Sequence, residues 1–271
     1  MAPGTSPPGT SDEQQAAAWV QGMFAGIAPK YDFINHLLSF NVDRRWRKLL
    51  MQRLRPVLDR ADATVLDLCC GTGDVLIYLK SESRARIVGA DFCHPMLVSA
   101  KQKAAQKRMD SLFVEADALN LPVANDSFDA IAISFGFRNL ANYAAGMREL
   151  HRVLKPGGTV AILEFSHPRP FLMKVAYRLY STVLLPLVGA AVSGSREAYT
   201  YLPDSIRKFP RARELQQMME NAGFINARFE LLTGGIAALH TGSRYAPELA
   251  DAGRLQTAVN LVAQPQIADK S

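Results

Sequence analysis

The sequence predicts an α/β fold, a seven-stranded and mostly parallel sheet with helices on both faces, on three observations. Short apolar runs alternate with helix-patterned segments between residues 64 and 165, the order of βαβ units. The first run, Val65-Leu66-Asp67-Leu68, passes directly into the turn Cys69-Cys70-Gly71-Thr72-Gly73-Asp74. The second run closes on Asp91, about 20 residues after that turn, the usual separation between a glycine-bearing first crossover and the acid that completes its ligand site.

Taken in order, residues 1–11 are rich in Pro, Gly, Ser and Thr and lack the basic-then-apolar order of a signal peptide, so they read as a disordered leader. Residues 12–58 show helical apolar spacing without strand-like alternation and read as an N-terminal helical cap. The α/β domain spans 59–242. Its strands are expected at 64–68, 86–91, 111–115, 128–134 and 159–165, with helices at 73–80, 95–106 and 141–154. Lys155-Pro156-Gly157-Gly158 stops the last helix and turns the chain into the next strand. Residues 167–210 interrupt the alternation. Within them, 171–192 is largely apolar but holds Lys174, Arg178 and Pro186, and its uncharged part is shorter than the roughly 20 residues of a membrane span, so it reads as a lid or interfacial helix. An amphipathic helix at 211–222, ended by Gly223, precedes strands at 224–233 and 235–241, and 243–271 reads as a flexible tail.

Composition narrows the function classes. With 271 residues, 48% apolar and 21% charged, the chain suits one α/β domain with additions. Three cysteines give neither a disulfide framework nor a zinc pair, which implies free thiols in a reducing cytosol and no metal site. The net charge of +6 comes from short groups: Arg44, Arg45, Arg47 and Lys48; Lys101, Lys103, Lys107 and Arg108; Arg207, Lys208, Arg211 and Arg213. No aromatic-interleaved strand accompanies them, so nucleic acid is not the expected partner. They are either solvated faces or the footprint of an anionic membrane, where each charge near the surface adds about 1 kcal/mol.

The chemistry lies at the strand ends. Gly71 and Gly73 let backbone approach a ligand, Thr72 offers a hydroxyl, and Asp91 can accept from both hydroxyls of a ribose. A dinucleotide site carries a further glycine opening a helix whose amides face a pyrophosphate. Here Asp74 follows the second glycine, and a carboxylate there repels a pyrophosphate but suits a cation or an α-amino group. That points to S-adenosylmethionine (SAM), a sulfonium with an ammonium head. Asp67 orients the loop or reaches the ammonium through water. Asp117-Ala118 can bind the adenine edge, and Ser134 lies where the sulfonium should rest. Each has a plainer reading: a tight turn at 71–73, a helix cap at Asp91, a turn-forming Asp117. Arg138 and Asn139 then place a cation and an amide beside a like-charged sulfonium, so the arginine's natural partner is an oxyanion on the acceptor, unless it merely caps a helix or faces solvent.

Several blocks resemble the UbiE/MenG/COQ5 family of quinone-biosynthesis C-methyltransferases. They are F-A-G-I-A-P-K-Y-D-F-I-N-H-L-L-S-F-N-V-D-R-R-W at 24–46, L-D-L-x-x-G-T-G-D, I-S-F-G-F-R-N, L-K-P-G-G, L-E-F-S-H-P, Y-x-Y-L-P-D-S-I-R-K-F-P and G-I-A-A-L-H-T-G, together covering residues 20–242. The resemblance implies a class I SAM-dependent, Rossmann-like methyltransferase fold, with SAM contacts at Thr72, Asp91, Asp117, Ala118 and Ser134. It implies that Arg138 orders a water taking a quinol proton, and that the substrate is a prenylated quinol. The menaquinone branch is preferred, with the benzoquinol of ubiquinone synthesis, or both, as the alternative. Tyr31, Asp32, Asn35, Tyr199, Tyr201 and Arg207 are expected to close over the quinol head, unless they serve ordinary packing, with Arg138, Asn139 and Tyr201 as the catalytic set. The protein is expected to be cytoplasmic and peripherally bound to the inner face of the membrane; oligomeric state stays open, a homodimer included. Cys69-Cys70 departs from the small residues common at that position. Competing classes are a nicotinamide oxidoreductase, which Asp74 opposes, and a non-catalytic scaffold, which the intact Gly71, Gly73, Asp91 and Arg138 oppose.

Overall fold

The computed structural model describes residues 4–28, 31, 41–168 and 196–247, with the backbone alone for 196–199. Its helices are α1 (Glu13–Ile27), α2 (Val42–Leu58), α3 (Asp74–Ser81), α4 (His94–Gln106), α5 (Tyr143–Val153), α6 (Arg196–Lys208) and α7 (Ala212–Asn221). Its strands are β1 (Thr64–Leu68), β2 (Arg86–Asp91), β3 (Leu112–Glu115), β4 (Phe128–Ser134), β5 (Leu154–Phe165), β6 (Phe224–Leu232) and β7 (Ala237–Arg244). They form one sheet in the order β3-β2-β1-β4-β5-β7-β6, in which only β7 runs antiparallel to its neighbours. The order reverses between β1 and β4, which makes the carboxyl ends of these two strands the expected ligand crevice.

Strand alternation sorts the core onto the two faces of the sheet. Leu66, Leu68, Ile131, Ile133, Val160 and Ile162 pack beneath α5 and α7 with Tyr143, Met147, Leu150, Leu215 and Met219. Val65, Ile87, Leu163 and the small Ala130, Ala132 and Ala161 face α2 and α3, whose Trp46, Leu50, Leu54, Leu58, Leu76 and Leu79 fill that side. With Met51, the α2 residues recur at three- and four-residue intervals, the spacing of one buried helical stripe.

Four expectations change. The segment 12–58 does not act as a single cap: α1 packs on α4 and α6 above the strand tips, whereas α2 covers a sheet face. Lys155-Pro156-Gly157-Gly158 is an excursion within β5, since Phe128 pairs with Leu154 and Ala130 already pairs with Thr159. At the chain start, Thr5 is buried and its amide donates to the Leu140 carbonyl at 2.8 Å, so the leader is docked there rather than disordered. Past Gly242, β7 continues through Arg244, whose guanidinium donates to the Leu154 carbonyl at 2.6 Å. The apolar stretch 171–192 and the tail from 248 onward lie outside the described residues. Among the described residues no helix is long and apolar enough to cross a membrane.

Candidate functional site

A cavity opens at the reversal point. Its walls come from the tips of β1 (Leu68, Cys69, Gly71), β2 (Asp91, Phe92), β3 (Ala116, Asp117, Ala118, Leu119) and β4 (Ser134, Phe135, Gly136, Asn139). Ala17 and Phe24 of α1, with Tyr31, close the remaining side. α1 is held there by Gln21, whose Nε2 donates to the Phe92 carbonyl at 2.7 Å.

Of the expected cofactor residues, Gly71, Asp91, Asp117, Ala118 and Ser134 meet on this cavity. Asp91 accepts from the Gly71 amide on Oδ2 at 2.8 Å and from the Cys93 amide on Oδ1 at 2.9 Å. The same carboxylate thus fixes the glycine turn and the entry to α4, while each oxygen keeps a lone pair for a ligand hydroxyl. Burial raises its pKa, and those amides oppose the rise. Asp117 accepts from the Leu119 amide at 2.9 Å, a local turn bond that leaves its other oxygen available. Ser134 Oγ is buried with no partner among the described residues, and its residue lines the cavity. A buried hydroxyl left in that state is unusual and marks a place for a ligand or water.

Asp67, Thr72 and Gly73 do not line the cavity. Asp67 alternates with Leu66 and Leu68, so it points to the α2 side, 1% exposed and with neither oxygen hydrogen-bonded among the described residues. Burial pushes its pKa up to about 8, although the nearby Arg47 opposes this. Lys103 donates to the Thr72 hydroxyl at 3.1 Å and to Asp74 at 2.6 Å, while Arg47 reaches Asp74 at 3.2 Å. Burial disfavours the Asp74 charge, but Lys103 and Arg47 outweigh it and its pKa falls below the ordinary value. The carboxylate read as a partner for a ligand cation is therefore satisfied by the protein's own cations, and Asp74 carries no argument against a diphosphate. Gly73, at φ 82, serves as the left-handed entry to α3.

The acceptor side differs most from expectation. Arg138 is 5% exposed and lies behind the cavity wall, where its guanidinium pairs with Glu164 at 3.0 Å and donates to the Phe135 carbonyl. Glu164, fully buried on β5, also accepts from the Arg138 amide at 3.1 Å and the Phe165 amide at 2.8 Å. Burial works against the Arg138 cation; Glu164 outweighs it, and the pKa is raised. The cation is compensated through one terminal nitrogen, while its Nε, buried with no partner among the described residues, is left as a donor. It locks the 3-10 turn Phe137–Asn139, which the Tyr143 hydroxyl holds from the other side by donating to the Arg138 carbonyl at 2.9 Å. Asn139 does line the cavity, and Tyr201 donates to its Oδ1 at 3.0 Å from behind. Arg207 is exposed and pairs with Asp204. Asp32, Asn35 and the Tyr199 side chain lie outside the described residues.

Sequence reasoning missed Glu164, Tyr143 and the Lys103–Asp74–Arg47 group. Glu164 left a trace, because one acid inside an otherwise apolar strand needs a buried cation.

A family model described as the ubiE/COQ5 methyltransferase family matches residues 10–244. The demethylmenaquinone methyltransferase of Thermus thermophilus is 46% identical over 223 residues, 82% of this chain and 100% of that protein. That of Deinococcus radiodurans is 45% identical over 238 residues, 88% and 97% of the two chains. The ubiquinone/menaquinone biosynthesis C-methyltransferase UbiE of Geotalea uraniireducens is 40% identical, over 83% and 96%. Among solved structures, the [4+2]-cyclase SpnF superposes with TM-score 0.64 at 18% identity, covering 89% of this chain and all of that one. A SAM-dependent methyltransferase from Aquifex aeolicus gives 0.52 at 18% identity, over 74% and 97%. These superpositions bear out the class I methyltransferase fold. With the family model spanning the cavity and every strand of the sheet, the chain belongs to the ubiE/COQ5 methyltransferase family.

Proposed function

We propose that this chain transfers a methyl group from SAM to a ring carbon of a prenylated demethylmenaquinol, the proton of that carbon passing to water, giving menaquinol and S-adenosylhomocysteine. The observation that carries the SAM part is the row of polar groups along one cavity wall, from Gly71 and Asp91 through Asp117-Ala118 to the unpartnered Ser134 hydroxyl. The quinol part rests on the full-length relatives at 45–46% identity that bear the demethylmenaquinone methyltransferase name.

The residues fit SAM. Asp91 would accept from the ribose hydroxyls, Asp117 and the Ala118 amide would meet the adenine edge, and the Ser134 hydroxyl would orient the reacting end. SAM supplies the activated methyl. The protein's part is alignment, worth up to about 7 to 11 kcal/mol when reacting atoms are held in place. On the acceptor side, Asn139 brings an amide to the wall, and its hydrogen bond to the quinol oxygen would stabilise charge developing beside the attacked carbon. Arg138 and Glu164 keep the turn that carries Asn139 rigid. A prenyl tail needs an apolar exit, which fits peripheral attachment to the cytoplasmic face of the membrane.

The test incubates purified protein with isotope-labelled SAM and reduced demethylmenaquinone or demethylated ubiquinol analogues, and locates the label by mass spectrometry. Label on a naphthoquinol ring carbon is the expected result. Transfer to the benzoquinol alone would overturn the substrate, and no transfer to any ring carbon would overturn the reaction.

A further inference from the structure

We propose that Thr5 is a positioning residue for methyl transfer, delivered by the N-terminal segment: through Tyr201 it turns the Asn139 side chain so that its NH2 donates into the cavity. The inference rests on the reading above for its kinetic consequence, though not for its geometry.

The segment is fastened where it crosses the acceptor side. The Thr5 amide donates to the Leu140 carbonyl at 2.8 Å, and Lys208 donates to the Ser6 carbonyl at 3.0 Å. A Cβ added at Gly4 would stand 1.9 Å from the Ala141 carbonyl oxygen, so backbone lies directly on the β4–α5 loop. Glu13 accepts from Asn142 Nδ2 at 2.9 Å, and Trp19 of α1 packs its ring 5.0 Å from that of Tyr201. These contacts leave the Thr5 hydroxyl 2.7 Å from the Tyr201 hydroxyl, with both groups buried.

Proton counting sets the direction of the chain. Tyr201 has one hydroxyl proton, and it is given to Asn139 Oδ1 at 3.0 Å. The Thr5 hydroxyl must then donate to the Tyr201 oxygen, because a phenol that has spent its proton can only accept. An amide has chemically different ends, and with Oδ1 occupied from behind, Nδ2 is the end left for the cavity. No described residue accepts from it. Burial raises the Tyr201 pKa, which keeps the phenol a neutral donor through the working pH range. Without the Thr5 proton, the Tyr201 hydroxyl is no longer pinned or polarised from behind, so its bond to Asn139 Oδ1 weakens and the amide is held less firmly against turning its oxygen toward the substrate. An acceptor facing the quinol oxygen would oppose charge building there.

The test uses the full chain and the variants Thr5→Val, Thr5→Ser and Tyr201→Phe. Thr5→Val keeps shape and removes the proton; it should lower kcat about tenfold while leaving SAM affinity by calorimetry and the Tm near wild type. Thr5→Ser should restore kcat to within about twofold. Adding Thr5→Val to Tyr201→Phe should cost nothing further, since both act through one chain. Independently of turnover, the side-chain amide resonance of Asn139 in asparagine-labelled protein should move in Thr5→Val and stay in place in Thr5→Ser. An unmoved resonance, a wild-type kcat in Thr5→Val, or an equal loss in Thr5→Ser would each overturn the proposal. Wild-type protein that methylates no quinol while the resonance still responds to Thr5→Val would sink the functional reading and leave the positioning chain standing.

Discussion

Two acids near the ends of neighbouring strands look alike in sequence and have opposite fates. Asp91 reaches the cavity with both oxygens on backbone amides, while Asp67 is enclosed on the α2 side with no hydrogen bond among the described residues. Because the folded pKa of Asp67 is near 8, the unfolded chain releases this proton at lower pH than the folded one does. Its contribution is complete below the unfolded value and is lost as pH rises toward 8, at most about 1.4 kcal/mol per pH unit. Asp67→Asn should flatten that fall, so urea midpoints measured from pH 5 to 9 should diverge from wild type in the variant's favour; parallel curves would show that Asp67 is ionised in the fold. Arg138 presents the reverse situation, since removing it strands a buried acid. Arg138→Ala should destabilise by about 3 to 5 kcal/mol in urea unfolding, and Arg138→Met with Glu164→Gln should recover much of that loss. A destabilisation below about 1 kcal/mol would show that the pair is not held in this buried geometry.

The turns after β1 and β4 approach each other across the reversal point more closely than side chains allow. A Cβ added at Gly136 would lie 2.3 Å from Cys69 Cβ, and Cys69 itself has φ 57, in the left-handed region. Cys69 therefore occupies a strained backbone position and sets the spacing of the two walls, which gives the departure from small residues at 69–70 a physical consequence. Gly136→Ala should cost about 1 to 3 kcal/mol by overpacking and weaken SAM binding in calorimetry. Cys69→Gly in the same chain should restore both, because it removes the opposing Cβ and relieves roughly 1 to 2 kcal/mol of left-handed strain. If Gly136→Ala alone binds SAM as wild type does, the spacing of these turns is not critical. Most of these elements were legible beforehand: β1, β2 and β4 have the bounds the sequence predicts, because alternation and turn chemistry act within a few residues. The excursion inside β5 was not, since Lys-Pro-Gly-Gly punctuates a strand in the same way that it ends a helix.

Surface charge belongs to the molecule as a whole, and tertiary contacts have already divided it. Arg47 and Lys103, members of basic groups in the sequence, are turned inward onto Asp74, whereas Arg44, Arg45, Lys48, Lys107, Arg108, Arg211 and Arg213 remain exposed. The protein should co-sediment with anionic but not neutral vesicles, and lose that binding between roughly 0.05 and 0.5 M salt as the charges are screened. Equal binding to neutral vesicles would assign attachment to apolar contact instead. The sequence by itself determined the order of strands and helices, the cavity at their tips and the presence of Gly71, Asp91, Asp117 and Ser134 on it, because strand period and turn chemistry are local. Which charges face that cavity was decided only in three dimensions. Arg138 and Glu164 are 26 residues apart and Thr5 and Tyr201 are 196 apart, and sheet register and helix docking bring each pair together. A buried ion or hydroxyl takes its role from whichever partner the packing supplies.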